Sequence, residues 1–354
     1  MMSASLSQPL KRPEDTLMFR EARESGDAVA RFLDTNLDTI AQIVTRLKTN
    51  PPRSVTTCAR GSSDHAATYG KYLIETLIGI PTSTAALSVS SLYDAPVFAA
   101  DTLCIAISQS GRSPDLLTSV KAHKASGAFV IALVNDFTSP LAELADEALP
   151  LCAGPELSVA ATKSYITSLA ALAALVAHWA DHAALKDGVN RLPQHLTQAF
   201  DLDWSGALPT LTAARNLFVI GRGYSFAVAQ EAALKLKETC ALHAEAFSAA
   251  EVRHGPMAIV GEGFPIIAFA PSDSAGDDVR AVAAEFSGRG ADVWLADTKG
   301  QGEGQGNLPA LAAEAVLEPI LMVASFYRLA NALSIARGLD PDSPPHLNKV
   351  TRTR

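Results

Sequence analysis

An internal repeat constrains this chain more than any other feature. Arg60-Gly61-x-Ser63 returns as Arg222-Gly223-x-Ser225, 162 positions later (61 to 223), and Ile105-Ala106 returns as Ile267-Ala268 at the same offset. Ser110 maps onto Ser272, and the apolar runs 129–134 and 292–296 fall within a residue of that spacing. Two copies of one βα series satisfy this pattern. Strands alternate with helical patterns, so the fold class is α/β: two tandem αβα sandwiches, each a mostly parallel sheet with helices on both faces.

The first copy holds the most informative loop. The apolar run 103–107 has the length of a buried strand, and Ser108-Gln109-Ser110-Gly111-Arg112-Ser113-Pro114-Asp115 follows it. Ser113 suits a helix N-cap, Pro114 the first helical position and Asp115 the positive end of the dipole. The loop therefore offers three hydroxyls, an amide and free N–H groups near Gly111, all suited to phosphate oxygens, and Arg112 adds charge. On residues alone it is equally an ordinary capped turn. Ligands of open α/β sheets sit beyond the carboxyl ends of the strands, so Arg60-Gly61-Ser62-Ser63 should line the same crevice. In the second copy Pro271-Ser272-Asp273 stands where Gln109-Ser110-Gly111 stands in the first, which brings a carboxylate and predicts one phosphate site per chain.

The net charge of −8 excludes a general nucleic-acid binder, which needs a basic footprint, so an anionic ligand must be held by local groups. Cys58, Cys104, Cys152 and Cys240 have no C-x-x-C spacing and read as reduced packing residues, with no disulfide and no metal site. The N-terminal stretch is polar and lacks the apolar segment of a signal peptide, and the most membrane-like run, 166–180, is too short to span, so it reads as a buried helix. The expected location is cytoplasmic, without membrane contact. Residues 1–50 form an N-terminal helical segment with candidate helices at 18–33 and 37–47. The two sandwiches are placed at 51–195 and 205–338. The boundary falls in 190–204, which contains Pro193, and 339–354 forms a tail too rich in proline for helix or central strand. The Gly-rich run 297–307 reads as an exposed loop.

Two further constellations carry chemistry. Glu231, Lys235 and Glu238 stand at i, i+4 and i+7 on one helical stripe, opposite an apolar stripe of Ala229, Ala232, Ala233, Leu236 and Cys240. Spacing alone makes this a solvated face of ion pairs. His254 follows a short helical pattern, 248–253, and precedes the stop signal Gly255-Pro256, where a cap or core histidine would also fit.

The chain resembles the sugar isomerase (SIS) domain family, and in particular the isomerase half of glutamine-dependent fructose-6-phosphate amidotransferases. The stretches that carry the likeness are Ala59-Arg60-Gly61-Ser62-Ser63-Asp64-His65-Ala66, Ser108-Gln109-Ser110-Gly111, 153–163, 231–238, 243–256 and 347–351, in family order. The resemblance implies two SIS-type sandwiches and a phosphosugar ligand bound by Ser62, Ser63, Ser108, Gln109, Ser110, Ser113 and Val159. It implies that Glu238 moves a proton between C1 and C2 of an open-chain sugar with Lys235 close by, and that Lys349 forms a Schiff base with a keto sugar. It further implies that His254 opens the sugar ring, reaching the site of a neighbouring subunit in a homodimer, and that no metal or organic cofactor is needed. The chain departs from the family's pattern at Ser113 (usually Thr), at Ala161 (usually Ser), and at Arg60 and Asp64.

The sequence shows no glutaminase-like segment before Cys58, so the expected reaction is release of ammonia from an amino-sugar phosphate: glucosamine 6-phosphate to fructose 6-phosphate, coupled to aldose–ketose isomerisation. A fructosamine-6-phosphate deglycase, another phosphosugar isomerase and a non-catalytic sugar-phosphate sensor are the alternatives. Retention of Glu238, His254 and Lys349 together argues against the sensor.

Overall fold

The computed structural model describes residues 11–300 and 306–349. The chain enters through α1 (Leu17–Arg23) and α2 (Ser25–Thr49). The first sheet contains β1 (Ser54–Cys58), β2 (Thr82–Thr84), β3 (Thr102–Ser108), β4 (Phe129–Val134) and β5 (Glu147–Pro150), in the order β2-β1-β3-β4-β5. All its pairings are parallel. The intervening helices are α3 (Ser62–Leu77), α4 (Ser88–Ser91), α5 (Pro114–Ala125) and α6 (Pro140–Leu144), and α7 (Lys163–Trp179) and α8 (Ala183–Phe200) follow.

The second copy runs α9 (Leu208–Ala213), β6 (Asn216–Gly221), α10 (Tyr224–Cys240), β7 (His243–Ser248), β8 (Pro265–Ala270), α11 (Ser274–Ser287), β9 (Asp292–Asp297), β10 (Asn307–Pro309) and α12 (Glu318–Ala336). Its parallel sheet has the order β10-β9-β8-β6-β7. Read from the β7 edge, that is the order of the first sheet strand for strand, so the sequence repeat is a repeat of topology. The dihedrals agree in detail: Gly61 has φ 54° and ψ −133°, Gly223 φ 58° and ψ −129°. A positive φ there is open to glycine and strained for other residues, which is why Arg-Gly recurs. Every residue of β8, and all but the first of β3, is buried, as a parallel strand covered on both faces requires.

The two copies share one apolar core that includes Leu172, Ala232 and Phe326. Helix α10 packs on both α3 and α12. Tyr165 donates its hydroxyl to the Ala227 carbonyl at 3.2 Å and Tyr69 to the Val316 carbonyl at 2.9 Å, so polar groups buried between the copies are satisfied across them.

Several local expectations change. The break between the N-terminal helices falls at Glu24, and 25–49 is continuous. The stretch 190–204 is largely the end of α8, with Pro193 inside the helix, because the amphipathic pattern with Leu192, Leu196 and Phe200 buried outweighs the lost hydrogen bond. Residues 248–253 are the end of β7 followed by a 3-10 turn, Glu251–Arg253. Helix α7 is buried as expected, but among the described residues the helix long and apolar enough to cross a membrane is α12, a core helix. The centre of the Gly-rich run, 301–305, lies outside the described residues, as do tail residues 350–354.

All four cysteines are free, and three are buried, with burial pushing the Cys240 thiol up to about 11. The fold brings Cys58 and Cys104 to an Sγ–Sγ distance of 3.8 Å, with His123 alongside, a grouping that linear spacing does not reveal.

Candidate active site

Both loops after β1 and β3 open on one side of the first sheet, as parallel strands dictate, and enclose a cleft of about 200 Å³. Ser62 and Ser63 enter from the start of α3. Ser108, Gln109, Ser110 and Ser113 enter from the β3–α5 loop. That loop is held in shape by the Ser108 hydroxyl, which accepts the Gly111 N–H at 2.9 Å. Gly111 has φ +62°, and a Cβ on it would lie 2.2 Å from Ser139 Oγ, so no other residue fits. Ser113 occupies the N-cap position of α5, yet its hydroxyl caps no N–H; it faces the cleft instead.

Lys235 and Glu238 close the cleft from the second copy. The expectation of a solvated ion-pair face fails here: side chains of Glu231 and Lys235 are 0% and 1% exposed, because α10 is packed between α3 and α12. Glu238, 23% exposed, pairs with Lys235 and faces the cleft. Lys235 lies 3.4 Å from Glu231. Glu231 also accepts the Ser62 hydroxyl and the Tyr327 hydroxyl at 3.0 Å each, and its other oxygen lies 3.0 Å from His65 Nδ1. Burial would raise the Glu231 carboxyl, but Lys235, His65 and Tyr327 outweigh it and hold it below its usual value. Burial likewise works against the Lys235 ammonium, and the two carboxylates overcome it and raise its pKa. The pattern is a buried carboxylate fixing a buried lysine, which in turn fixes a half-exposed carboxylate in the cleft.

The tail supplies the third wall. Lys349 donates to Glu156 Oε2 at 3.1 Å and to the Ser158 carbonyl at 2.8 Å, and it lines the cleft with Val159. Glu156 is fully buried. Burial pushes its carboxyl up, but Lys349 and the N–H and hydroxyl donors of Thr162 and Ser164 bring it below the usual value. The tail is pinned upstream by Asp342. Its carboxylate accepts the Met18 and Leu17 N–H groups at the start of α1 at 2.9 and 3.0 Å, and its carbonyl accepts the Val159 N–H at 3.2 Å. Glu21 of α1 accepts the N–H groups of Leu157 and Ser158, so the N-terminal segment shapes this wall too.

Of the catalytic and binding candidates read from the sequence, ten meet in this cleft and His254 does not. His254 sits exposed beyond the 3-10 turn after β7, its N–H bonded to the Glu251 carbonyl at 2.9 Å. Arg112 also departs from expectation: its guanidinium is turned onto Asp136, at 2.8 and 3.1 Å. Arg60 takes the place in the cleft that Arg112 was expected to fill. In the second copy, Asp273 caps α11 through the Gly276 N–H at 2.8 Å and does not fill the loop. The loop is filled by Glu318, a buried carboxylate that accepts the Ser272 N–H at 2.6 Å and the Thr298 hydroxyl at 3.1 Å. Sequence reasoning missed the supporting roles of Glu231, His65, Tyr327 and Glu156. Glu231 and Glu156 lay inside the motifs quoted, whereas the Tyr327 partnership spans 96 residues and left no local signal.

The SIS domain profile matches residues 50–178 and 210–327, one match per copy. The glutamine–fructose-6-phosphate aminotransferase (isomerizing) of Methanothermobacter thermautotrophicus is 34% identical over 350 residues, 95% of this chain and 57% of that protein. The chain thus spans little more than half the length of such relatives. Among solved structures, a Silicibacter pomeroyi protein assigned as a phosphosugar isomerase superposes with a TM-score of 0.87 at 41% identity, covering 92% of this chain and all of that one. The C-terminal domain of the Francisella tularensis glucosamine-fructose-6-phosphate aminotransferase gives a TM-score of 0.82 at 26% identity, covering 96% of this chain and all of that one.

Proposed function

From a chain that belongs to the SIS domain family, we propose an enzyme that isomerises an amino-sugar phosphate: glucosamine 6-phosphate and water give fructose 6-phosphate and ammonia. The observation that carries the reading is that Glu238, braced by Lys235, and the amine of Lys349 line one cleft with the serine-rich β3–α5 loop. A carboxylate beside C1 and C2 suffices for aldose–ketose exchange. A lysine amine in the same cleft adds chemistry that plain isomerisation does not need: nitrogen exchange at the carbonyl carbon.

The proposed course follows from these groups. The β3–α5 loop hydroxyls, Gln109, Ser62 and Ser63 hold the phosphate, and Val159 with its neighbours bounds the sugar. On the open-chain form, Glu238 removes the C2 proton and a proton is returned to C1 while one amine proton passes to O1, which converts the aldehyde with its C2 amine into a C2 imine bearing a C1 hydroxymethyl group. Lys349 adds to C2, ammonia leaves, and water hydrolyses the resulting Schiff base, restoring the amine and yielding the ketose. Lys235, paired with Glu238, holds its carboxylate oriented in the cleft. His254, exposed and outside the lining of this chain's own cleft, is assigned to ring opening in the cleft of a second copy, so the active form is a homodimer.

The test is ammonia and fructose 6-phosphate formation by purified protein from glucosamine 6-phosphate without glutamine. Turnover that is lost in Glu238→Gln while phosphosugar binding persists supports the reading. Binding without turnover on glucosamine 6-phosphate, with turnover on a fructosamine 6-phosphate, would replace it with a deglycase.

A further inference from the structure

We infer that Arg60 is a phosphate-binding residue of this cleft, giving the otherwise neutral hydroxyl-and-amide cradle a full positive charge; the inference rests on the phosphosugar reading above. Arg60 lines the cleft beside Ser62, Ser108 and Ser113. Its guanidinium is held edge-on by one oxygen of Asp115, with Nε at 3.0 Å and Nη2 at 2.8 Å. Asp115 is itself immobile: its side chain is 0% exposed, and its other oxygen accepts the Leu116 N–H at 2.8 Å. A guanidinium carries five N–H donors in a fixed plane, and this pairing uses two. The remaining three, on a side chain 54% exposed, have no acceptor among the described residues and are available to phosphate oxygens.

The other cations near the cleft are committed elsewhere. Lys235 is buried between two carboxylates, Lys349 is bound to Glu156 and the Ser158 carbonyl, and Arg112 is turned onto Asp136. The second copy provides an internal comparison. There the equivalent Arg222 also pairs with an aspartate of the following helix, Asp278, through Nη1 alone and with Arg253 on the other oxygen, and the loop N–H of Ser272 already holds an anion, the carboxylate of Glu318. The repeated unit thus places a braced arginine beside a strand-end loop that takes an anion. In the first copy no carboxylate among the described residues accepts a backbone N–H of that loop, and the ligand's phosphate takes its place.

Calorimetric titration of wild type, Arg60→Gln and the double variant Arg60→Gln/Asp115→Asn with glucosamine 6-phosphate and with inorganic phosphate tests this. The double variant avoids leaving Asp115 buried and unpaired, so a loss of binding in it is not a folding defect. Both variants should bind both ligands about 10- to 100-fold more weakly, the range for a lost charge-assisted contact. Glucosamine 6-sulfate, a monoanion, should be disfavoured against the phosphate by wild type and less so by the variants, a change that a structural role would not produce. Variants that bind phosphate and phosphosugar within twofold of wild type overturn the inference, as does wild type that binds neither. Wild type that binds both but turns over no substrate overturns the proposed activity and leaves the role of Arg60 intact.

Discussion

Replacing Lys235 by Met removes the cation on which two carboxylates converge and strands Glu231, whose side chain is 0% exposed. At the 3.4 Å separation of Lys235 and Glu231, the attraction is about 5 kcal/mol with an effective dielectric near 20. Desolvation offsets much of this while the pair is intact, so the pair itself adds little; removing one partner is what costs, typically about 3–5 kcal/mol. Glu231→Gln should cost less, about 1.5–3 kcal/mol, because an amide can still accept from Ser62 and Tyr327. The double variant Glu231→Gln/Lys235→Met should be more stable than the sum of the single losses predicts, with a coupling of about 2–3 kcal/mol. Urea unfolding followed by tryptophan fluorescence and circular dichroism measures all four corners of this cycle. Single losses that add within about 0.5 kcal/mol would refute the reasoning, since independent sites behave that way.

Asp342→Asn should weaken the anchor of the tail: it removes the carboxylate that holds the first N–H groups of α1 and so costs about 1 kcal/mol. Limited proteolysis in 339–349 should rise and turnover should fall with the looser placement of Lys349; an unchanged digestion pattern would show that the tail is held by other contacts. Glu231 and Glu156 have native pKa values below those of an unfolded chain, so the unfolded state binds more protons and their stabilisation is complete above the usual carboxylate value of about 4.3. It should fade as pH falls through the depressed native values, and the acid limb of the urea midpoint should be shallower in Glu231→Gln; limbs of equal slope would contradict this origin.

The fold was legible because its signals are local and repeated. Arg-Gly at 60–61 and 222–223 marks one backbone conformation used twice, and the apolar run 103–107 and its repeat at Ile267-Ala268 lie in buried strands. Pro193 misled because a strong apolar stripe carried α8 through it. The cleft was legible where its residues sit in loops after strands. It was not legible where tertiary packing decides the environment: periodicity reports that Glu231, Lys235 and Glu238 share a stripe, but only α3 and α12 make that stripe an interior one. Arg60 and Arg112 show the same limit. Arg112 was the cation expected at the loop and Arg60 only a lining residue, and their orientations depend on Asp136 and Asp115, which claim them in different directions.

The central claim is that Glu238 breaks the C2–H bond of an open-chain amino-sugar phosphate. The direct measurement follows deuterium in glucosamine 6-phosphate labelled at C2, by nuclear magnetic resonance, with wild type and Glu238→Gln under conditions where both bind ligand. Wild type should remove the label from C2, delivering it to C1 or to water, with a slower rate than for unlabelled substrate, and Glu238→Gln should leave it in place. Loss of the C2 label in Glu238→Gln at a rate near that of wild type would assign the proton transfer to another group and contradict the account.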